Sequence, residues 1–294
     1  MAMTRITPFV QILRPHQWVK SGFVFVGLLF GHAWSDAMLV QQVMLAAAAF
    51  ALAASAVYVI NDLADRDRDR QHPEKCRRPL AAGTVSVAQA LLLGGACLLS
   101  ALFLAQAASN SVLLIVLAYA LLNVAYSLGL KHVVLLDVFI ISAGFMLRIL
   151  AGTAGVGIAP SHWLLLCGLM LTLFLGFAKR RAELNAMQGR GGSHRKVLDD
   201  YDPVLLDKLI GVCAAATIVS YSLYTLSAET LAMHGTANLI YTVPFVVYGI
   251  FRYLFLLHRR GGGGDPAAAV LRDFHLFGAF AGWLLTVLVL LAQR

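Results

Sequence analysis

The residues best suited to chemistry lie in one short stretch, Asn61-Asp62-Leu63-Ala64-Asp65-Arg66-Asp67-Arg68-Asp69. On a helix turning about 100° per residue, Asn61, Asp62, Asp65 and Asp69 share an arc of roughly 100°, and Asp67 points away. Three carboxylates and an amide oxygen gathered on one face repel one another unless something positive sits among them. Hard oxygen donors of this kind suit Mg²⁺, which is commonly held by one or two carboxylates together with substrate phosphates. A Mg²⁺–diphosphate site is therefore expected, with Asn61, Asp62, Asp65 and Asp69 as metal ligands. The plainer alternative is a solvated charge cluster neutralised by the interleaved arginines.

A second stretch is basic. Lys179-Arg180-Arg181-Ala182-Glu183-Leu184 is followed by His194-Arg195-Lys196-Val197-Leu198 and Asp199-Asp200-Tyr201. Cations in this density suit phosphate. One helical turn cannot aim all three leading cations at one point, so Lys179 and Arg181 are preferred over Arg180. A basic cluster that only sets membrane topology is the alternative. Asp199, Asp200 and Asp202 leave open a degenerate second metal site. Asn123, Tyr126, Ser127 and Lys131 are spaced to share one helix face, although Tyr126 also suits an interfacial belt. Arg148 interrupts an apolar run, where a charge must face the bundle interior or a water-filled cavity. The four cysteines and the histidines show no metal-ligand spacing.

The elements that position these residues follow from composition. Hydrophobic residues make up 60% of the 294 positions and charged residues 13%, and the mean hydropathy is +0.77. The apolar residues form nine runs, near 21–35, 38–61, 86–107, 110–129, 133–156, 161–178, 204–230, 236–257 and 274–292. Most approach the ~20 residues that a helix needs to cross a bilayer, and lipid permits only helices or closed barrels. The runs lack the polar–apolar alternation of barrel strands. An all-α, polytopic membrane protein with nine transmembrane helices is expected, forming a single membrane-embedded domain over 1–294. Its two long polar interruptions, about 62–85 and 179–203, are expected to be cytoplasmic active-site loops.

Charge orients the bundle. Arg5, Arg14 and Lys20 precede the first run, and Arg66 to Arg78 separate the second from the third. Lys131, then Lys179 to Lys208, then Arg252 to Arg272 lie in alternate connections after that. The intervening connections carry no Lys or Arg; only Arg148 and Arg294 break the pattern. Positive residues collect on the cytoplasmic side, so an N-terminus in the cytoplasm of an inner (cell) membrane protein and an external C-terminus are expected, with no cleavable leader. The net charge of +8 then belongs to one membrane face, which argues against nucleic-acid binding. A homo-oligomer is left open.

Asn61-Asp62-x-x-Asp65-x-x-x-Asp69, continued by His72-Pro73-x-Lys75-x-x-Arg78-Pro79-Leu80-x-x-Gly83-x-Val85-Ser86, resembles the first aspartate-rich motif of the UbiA prenyltransferase superfamily. Most members carry a second Asp-x-x-x-Asp motif after helix six. Here the basic stretch replaces it, and with Leu13-Arg14-Pro15-x-Gln17-Trp18-x-Lys20 the chain resembles the decaprenyl-phosphate phosphoribosyltransferase branch. The resemblance implies a nine-helix UbiA-type bundle and a Mg²⁺-dependent transfer of 5-phosphoribose. The donor would be phosphoribosyl pyrophosphate, the acceptor a polyprenyl phosphate, and the product would serve arabinose-donor synthesis for the cell envelope. It also assigns roles. Asp62, Asp65 and Lys179 are implied to be catalytic. Tyr126, Lys131, Lys179, Arg180, Arg181, Glu183, Arg195 and Tyr201 would contact the donor. Arg14, Gln17, Lys20, Arg78 and Arg148 would meet the lipid phosphate. An aromatic prenyltransferase using a prenyl diphosphate is the nearest alternative. A lipid or small-molecule transporter is a second, disfavoured because charged clusters lie at helix ends rather than at the midplane.

Overall fold

The structure, a computed structural model, describes residues 3–73, 75–187, 196–198, 200–260 and 266–292. Every regular element among them is helical. The chain forms two compact units, one of residues 1–140 and 147–159, the other of 141–146 and 160–294.

In the first unit, α1 (Met3–Leu13) passes through Arg14 into a 3₁₀ segment (Pro15–Phe25) and the short α2 (Val26–Phe30). Then come α3 (Ala37–Ala64), α4 (Arg66–Gln71), α5 (Val87–Ala108), α6 (Asn110–Leu128) and most of α7 (Leu136–Ala151). Three of the long helices start where a side chain can accept their first amides. Asp36 caps α3, Ser86 and Gln89 form a capping box on α5, and Ser109 caps α6. Helix α3 is the core. Val43, Ala46, Ala49, Phe50 and Ala53 on it are wholly buried. Helix α5 meets it through a stripe of small residues, Ala90, Gly94, Cys97, Ala101 and Ala105. Lipid supplies no hydrophobic drive between helices, so close backbone approach over small residues is what holds such a pair. The opposite face of α5 turns Leu92 (77% exposed) and Phe103 (74%) outward, as a hydrocarbon-facing surface requires.

Among the described residues, eight helices are long and apolar enough to cross a membrane, one fewer than the nine expected. The difference lies in the run 21–35, which is 3₁₀ as far as Phe25, α-helical only from Val26 to Phe30, and breaks there. It still runs the length of α3. Near one end, Arg14 bonds Asp62 and Trp18 bonds Ser55; near the other, Leu28 and Ala33 pack into the core with Val43 and Ala47. Eleven 3₁₀ residues rising about 2.0 Å each plus five α residues at about 1.5 Å span about 30 Å, the thickness of a hydrocarbon core. The tight winding accompanies an extreme backbone approach. A Cβ on Gly152 would lie 1.7 Å from the Val24 carbonyl oxygen, and one on Gly27 would lie 1.9 Å from that of Gly152. Only glycine fits at either position.

The second unit contains α8 (His162–Met187), α9 (Pro203–Leu226), α10 (Ala228–His234), α11 (Val243–Arg260), α12 (Pro266–Arg272) and α13 (Phe274–Ala292). The Tyr221 hydroxyl, within hydrogen-bond distance of Thr242 and accepting from Trp283 Nε1, joins α9 to α13. A two-point ion pair from Arg252 to Asp273 ties α11 to the start of α13. The basic stretch was expected in a loop. It is helical instead, because α8 continues to Met187. Lys, Arg, Ala, Glu and Leu are all good helix formers, and the Arg180–Glu183 and Arg181–Asn185 pairs support the extra turns.

Candidate active site at the acidic motif

Helix α3 ends at Ala64 and α4 begins at Arg66, so the motif straddles a break. The break is shallow. The Asp65 amide donates to the Asn61 carbonyl at 3.0 Å and the Asp69 amide to the Asp65 carbonyl at 2.8 Å. The helical i to i−4 spacing survives on both sides, which keeps Asp62, Asp65 and Asp69 on a common face. Asp67, 88% exposed, points away as expected.

The carboxylates are buried or half-buried, and their partners come from far along the chain. Arg14 Nη2 donates to Asp62 Oδ1 at 2.5 Å. Arg78 Nη1 donates to both Asp62 Oδ1 (3.1 Å) and Asp69 Oδ2 (2.7 Å). Lys131 Nζ donates to Asp65 Oδ1 at 2.8 Å. The plainer expectation, local pairing with interleaved arginines, holds only for the exposed Asp67–Arg70 contact. Arg66 instead donates to the Leu80 carbonyl, and Arg70 donates through Nε to that of Ala81 as well, so the two staple α4 to the following loop. Arg14 reaches Asp62 because its backbone is left-handed, with φ 51° and ψ 57°. A non-glycine residue held there carries strain, which is characteristic of functional sites. The same conformation lays its guanidinium over the Tyr58 ring, 4.9 Å from the centroid.

The donor set fits a divalent ion that still needs substrate. Asn61 Oδ1 is buried with no hydrogen-bond partner, an unsatisfied acceptor whose cost a metal would remove. Asp62 and Asp69 are close enough for one guanidinium nitrogen to bridge them. Among the described residues, however, no three His, Cys, Asp or Glu side chains are gathered around one point. Two or three protein oxygens completed by phosphate oxygens is the arrangement Mg²⁺ favours.

In the second unit, Arg180 is completely buried and bonds Glu183 at 2.6 Å. Arg181 donates to Asp207 on α9 at 2.9 Å, and His258 on α11 lies 3.5 Å from the same carboxylate oxygen. Lys179 is half-buried. Tyr201 is buried, and Asp202, suggested as a second-metal residue, caps α9 by accepting from the Val204 amide. Arg195 and Asp199 lie outside the described residues.

The profile of the UbiA prenyltransferase family matches residues 21–280. The chain belongs to the UbiA prenyltransferase family. It is 32% identical over 293 residues to the decaprenyl-phosphate phosphoribosyltransferase of Mycolicibacterium smegmatis, an alignment covering 96% of this chain and 92% of that protein. It is 33% identical to the protein of the same name from Corynebacterium glutamicum, covering 95% and 85%. A UbiA homologue of Archaeoglobus fulgidus, solved with GPP and Mg²⁺, superposes with a TM-score of 0.70 over 97% of both chains at 20% identity, a likeness of fold.

Within this UbiA fold the other expected residues are spread out. Gln17 lies beside the motif, its Oε1 accepting from the Tyr58 hydroxyl at 3.4 Å. Lys20 and Tyr126 are half-buried. Arg148 is far away. Its guanidinium lies over the rings of Phe50 and Tyr119 (5.3 and 4.7 Å) and bonds the Tyr119 hydroxyl. Phe50 is twelve residues before Asp62 on α3, about 18 Å of helix. Sequence reading missed Ser55 and Tyr58, polar residues near the end of an apolar helix. Their spacing from Asp62, at i−7 and i−4, was a usable signal for one shared face. It also missed Asp207 and His258, which nothing in their neighbours marks.

Proposed function

We propose that this UbiA-family membrane enzyme transfers 5-phosphoribose from phosphoribosyl pyrophosphate to a polyprenyl phosphate, releasing pyrophosphate. The observation that carries this is the gathering of Asn61, Asp62, Asp65 and Asp69 with Arg14, Arg78 and Lys131, in a chain whose full-length relatives bear that activity in their names. Asn61, Asp62, Asp65 and Asp69 would hold Mg²⁺, an ion present in the Archaeoglobus homologue; bound there it supplies positive charge to the departing pyrophosphate. An oxygen of the lipid phosphate forms the new bond to the anomeric carbon as the bond to pyrophosphate breaks, through oxocarbenium-like character at that carbon. That oxygen is already anionic, so no strong general base is required. Gln17 and Lys20 are assigned to the lipid phosphate, and Lys179, with the neighbouring Arg180, Arg181 and Glu183, to the phosphorylated ribose. We further propose that the acidic motif faces the cytoplasm, with the C-terminus outside, and that the lipid product feeds arabinose-donor synthesis for the cell envelope.

Membranes containing the protein, given radiolabelled phosphoribosyl pyrophosphate and a polyprenyl phosphate, should yield lipid-linked label that requires Mg²⁺ and disappears in Asp65→Ala. Product from a prenyl diphosphate and an aromatic acid instead would make the protein an aromatic prenyltransferase. Reporter fusions at Arg78 and at the C-terminus should place them on opposite sides of the membrane.

A further inference from the structure

The three clustered carboxylates of the acidic motif are neutralised before any ligand arrives. Asp62, Asp65 and Asp69 carry three negative charges, and Arg14, Arg78 and Lys131 bring three positive ones. The pairs are not exposed surface contacts, since Asp62 is 3% and Lys131 6% exposed. A divalent ion placed on these carboxylates alone would sit beside guanidinium and ammonium groups that already compensate them. A diphosphate alone would meet carboxylates. Each ligand is opposed by what the other would satisfy.

We propose that Arg14, Arg78 and Lys131 are an exchangeable counter-ion set. Without ligand they hold the carboxylates; when metal and diphosphate arrive together, the metal takes the carboxylates and the released cations turn to phosphate oxygens. This rests on the metal–diphosphate reading of the motif and adds a rule to it: the two ligands bind cooperatively and the site has little hold on either alone. Two features suit the arginines to the exchange. Arg14 commits only Nη2 to its carboxylate, and Arg78 only Nη1 to both of its own, so each keeps guanidinium N–H donors for a second anion. Both side chains are also partly open to solvent, at 21% and 28%, which leaves room to turn. Lys131, nearly enclosed, has three donors on one nitrogen and can shift its contact without moving its stem.

The consequence has a counter-intuitive sign: removing a cation that assists the diphosphate should strengthen binding of the metal alone. The test titrates the full chain in lipid nanodiscs with Mn²⁺, reading free Mn²⁺ by electron paramagnetic resonance, with and without inorganic pyrophosphate. In the unaltered protein, pyrophosphate should tighten Mn²⁺ by about tenfold or more, within the usual range of coupling between sites. Arg78→Gln should tighten Mn²⁺ alone by about tenfold and shrink the gain from pyrophosphate by the same factor, because coupling is reciprocal. Arg14→Gln, which removes one of the two cations on Asp62 and leaves Arg78 on both Asp62 and Asp69, should act in the same direction by less. A damaged fold cannot mimic a gain in affinity. If both variants bind Mn²⁺ alone no more tightly than the unaltered protein, while pyrophosphate coupling persists, the exchange is refuted and the metal site stands. If the unaltered protein with pyrophosphate binds no Mn²⁺ that Asp65→Asn removes, the metal–diphosphate reading itself falls.

Discussion

The Lys131–Asp65 pair separates what the motif does for folding from what it does for chemistry. Lys131 Nζ lies 2.8 Å from Asp65 Oδ1, with the lysine side chain 7% exposed and the aspartate 23%. Removing one member of a buried pair leaves the other charged without compensation, at about 3–5 kcal/mol, whereas replacing both is often neutral. Asp65→Asn strands an almost enclosed ammonium and should cost about 3 kcal/mol, the lower end of that range. Lys131→Met strands a carboxylate that water still reaches, and solvent screening reduces the penalty to about 1–2 kcal/mol. The double variant Asp65→Asn/Lys131→Met should return to within about 1 kcal/mol of the unaltered protein, because the two changes share one interaction and do not add. At roughly 2–4 °C per kcal/mol for a chain of this order, the worse single variant should melt about 6–12 °C early and the double near normal. Melting is read by fluorescence-detected size exclusion in detergent, and activity by labelled lipid product from the same preparations. Stability should recover in the double variant and activity should not, because Asp65 is needed as a ligand whatever its partner. A double variant as unstable as Asp65→Asn would refute the ion-pair energetics, and an active one would remove Asp65 from the site.

Gly152→Ala should lower stability by about 3 kcal/mol or more, since its Cβ would fall 1.7 Å from the Val24 carbonyl oxygen and neither backbone can yield cheaply; Gly211→Ala, where a Cβ meets nothing within 4 Å, should be neutral by the same melting assay. Arg148→Met should destabilise by about 2–4 kcal/mol through loss of the Tyr119 bond and ring contacts, with an unchanged KM for the lipid phosphate in the folded fraction; a raised KM would restore Arg148 to the phosphate. The Arg252 guanidinium and the Leu276 amide hold the Asp273 carboxyl down from 3.8 to about 2. A folded-state value below the unfolded one contributes stability above about pH 4 that is lost as pH falls toward 2, so the melting difference between the unaltered protein and Arg252→Gln should shrink across that window. A difference that stays constant to pH 2 would show that the pair adds nothing.

Much of the fold was legible because a bilayer punishes unsatisfied backbone and unpaired charge so heavily that both leave marks in sequence. The runs from Ala37 onward became helices close to where hydropathy put them. The first run was harder to read. Its residues are as apolar as the others, but it winds as 3₁₀ as far as Phe25, and its backbone at Val24 and Gly27 meets that of Gly152, a position far along the chain. The basic stretch was misplaced for the opposite reason. Its charges look like a loop at a membrane edge, yet its residues favour helix and α8 carries them on to Met187.

By itself the sequence determined the acidic motif and its face, since Asn61, Asp62, Asp65 and Asp69 are set by the period of a single helix. It also determined the family, which follows from motif spacing. Only the tertiary structure decided what those carboxylates touch. Arg14 and Lys131 lie 48 and 66 residues from their partners, and no local rule joins them. Arg14 was read as a group for the lipid and Lys131 as one for the donor, because one-dimensional spacing says which cations share a membrane face but not which anion each meets. Bringing them onto Asp62 and Asp65 took the packing of the first traverse against α3, and a connection after α6 that buries its lysine. Those long-range contacts turn a cluster that should repel itself into a neutral site awaiting a metal and a diphosphate together.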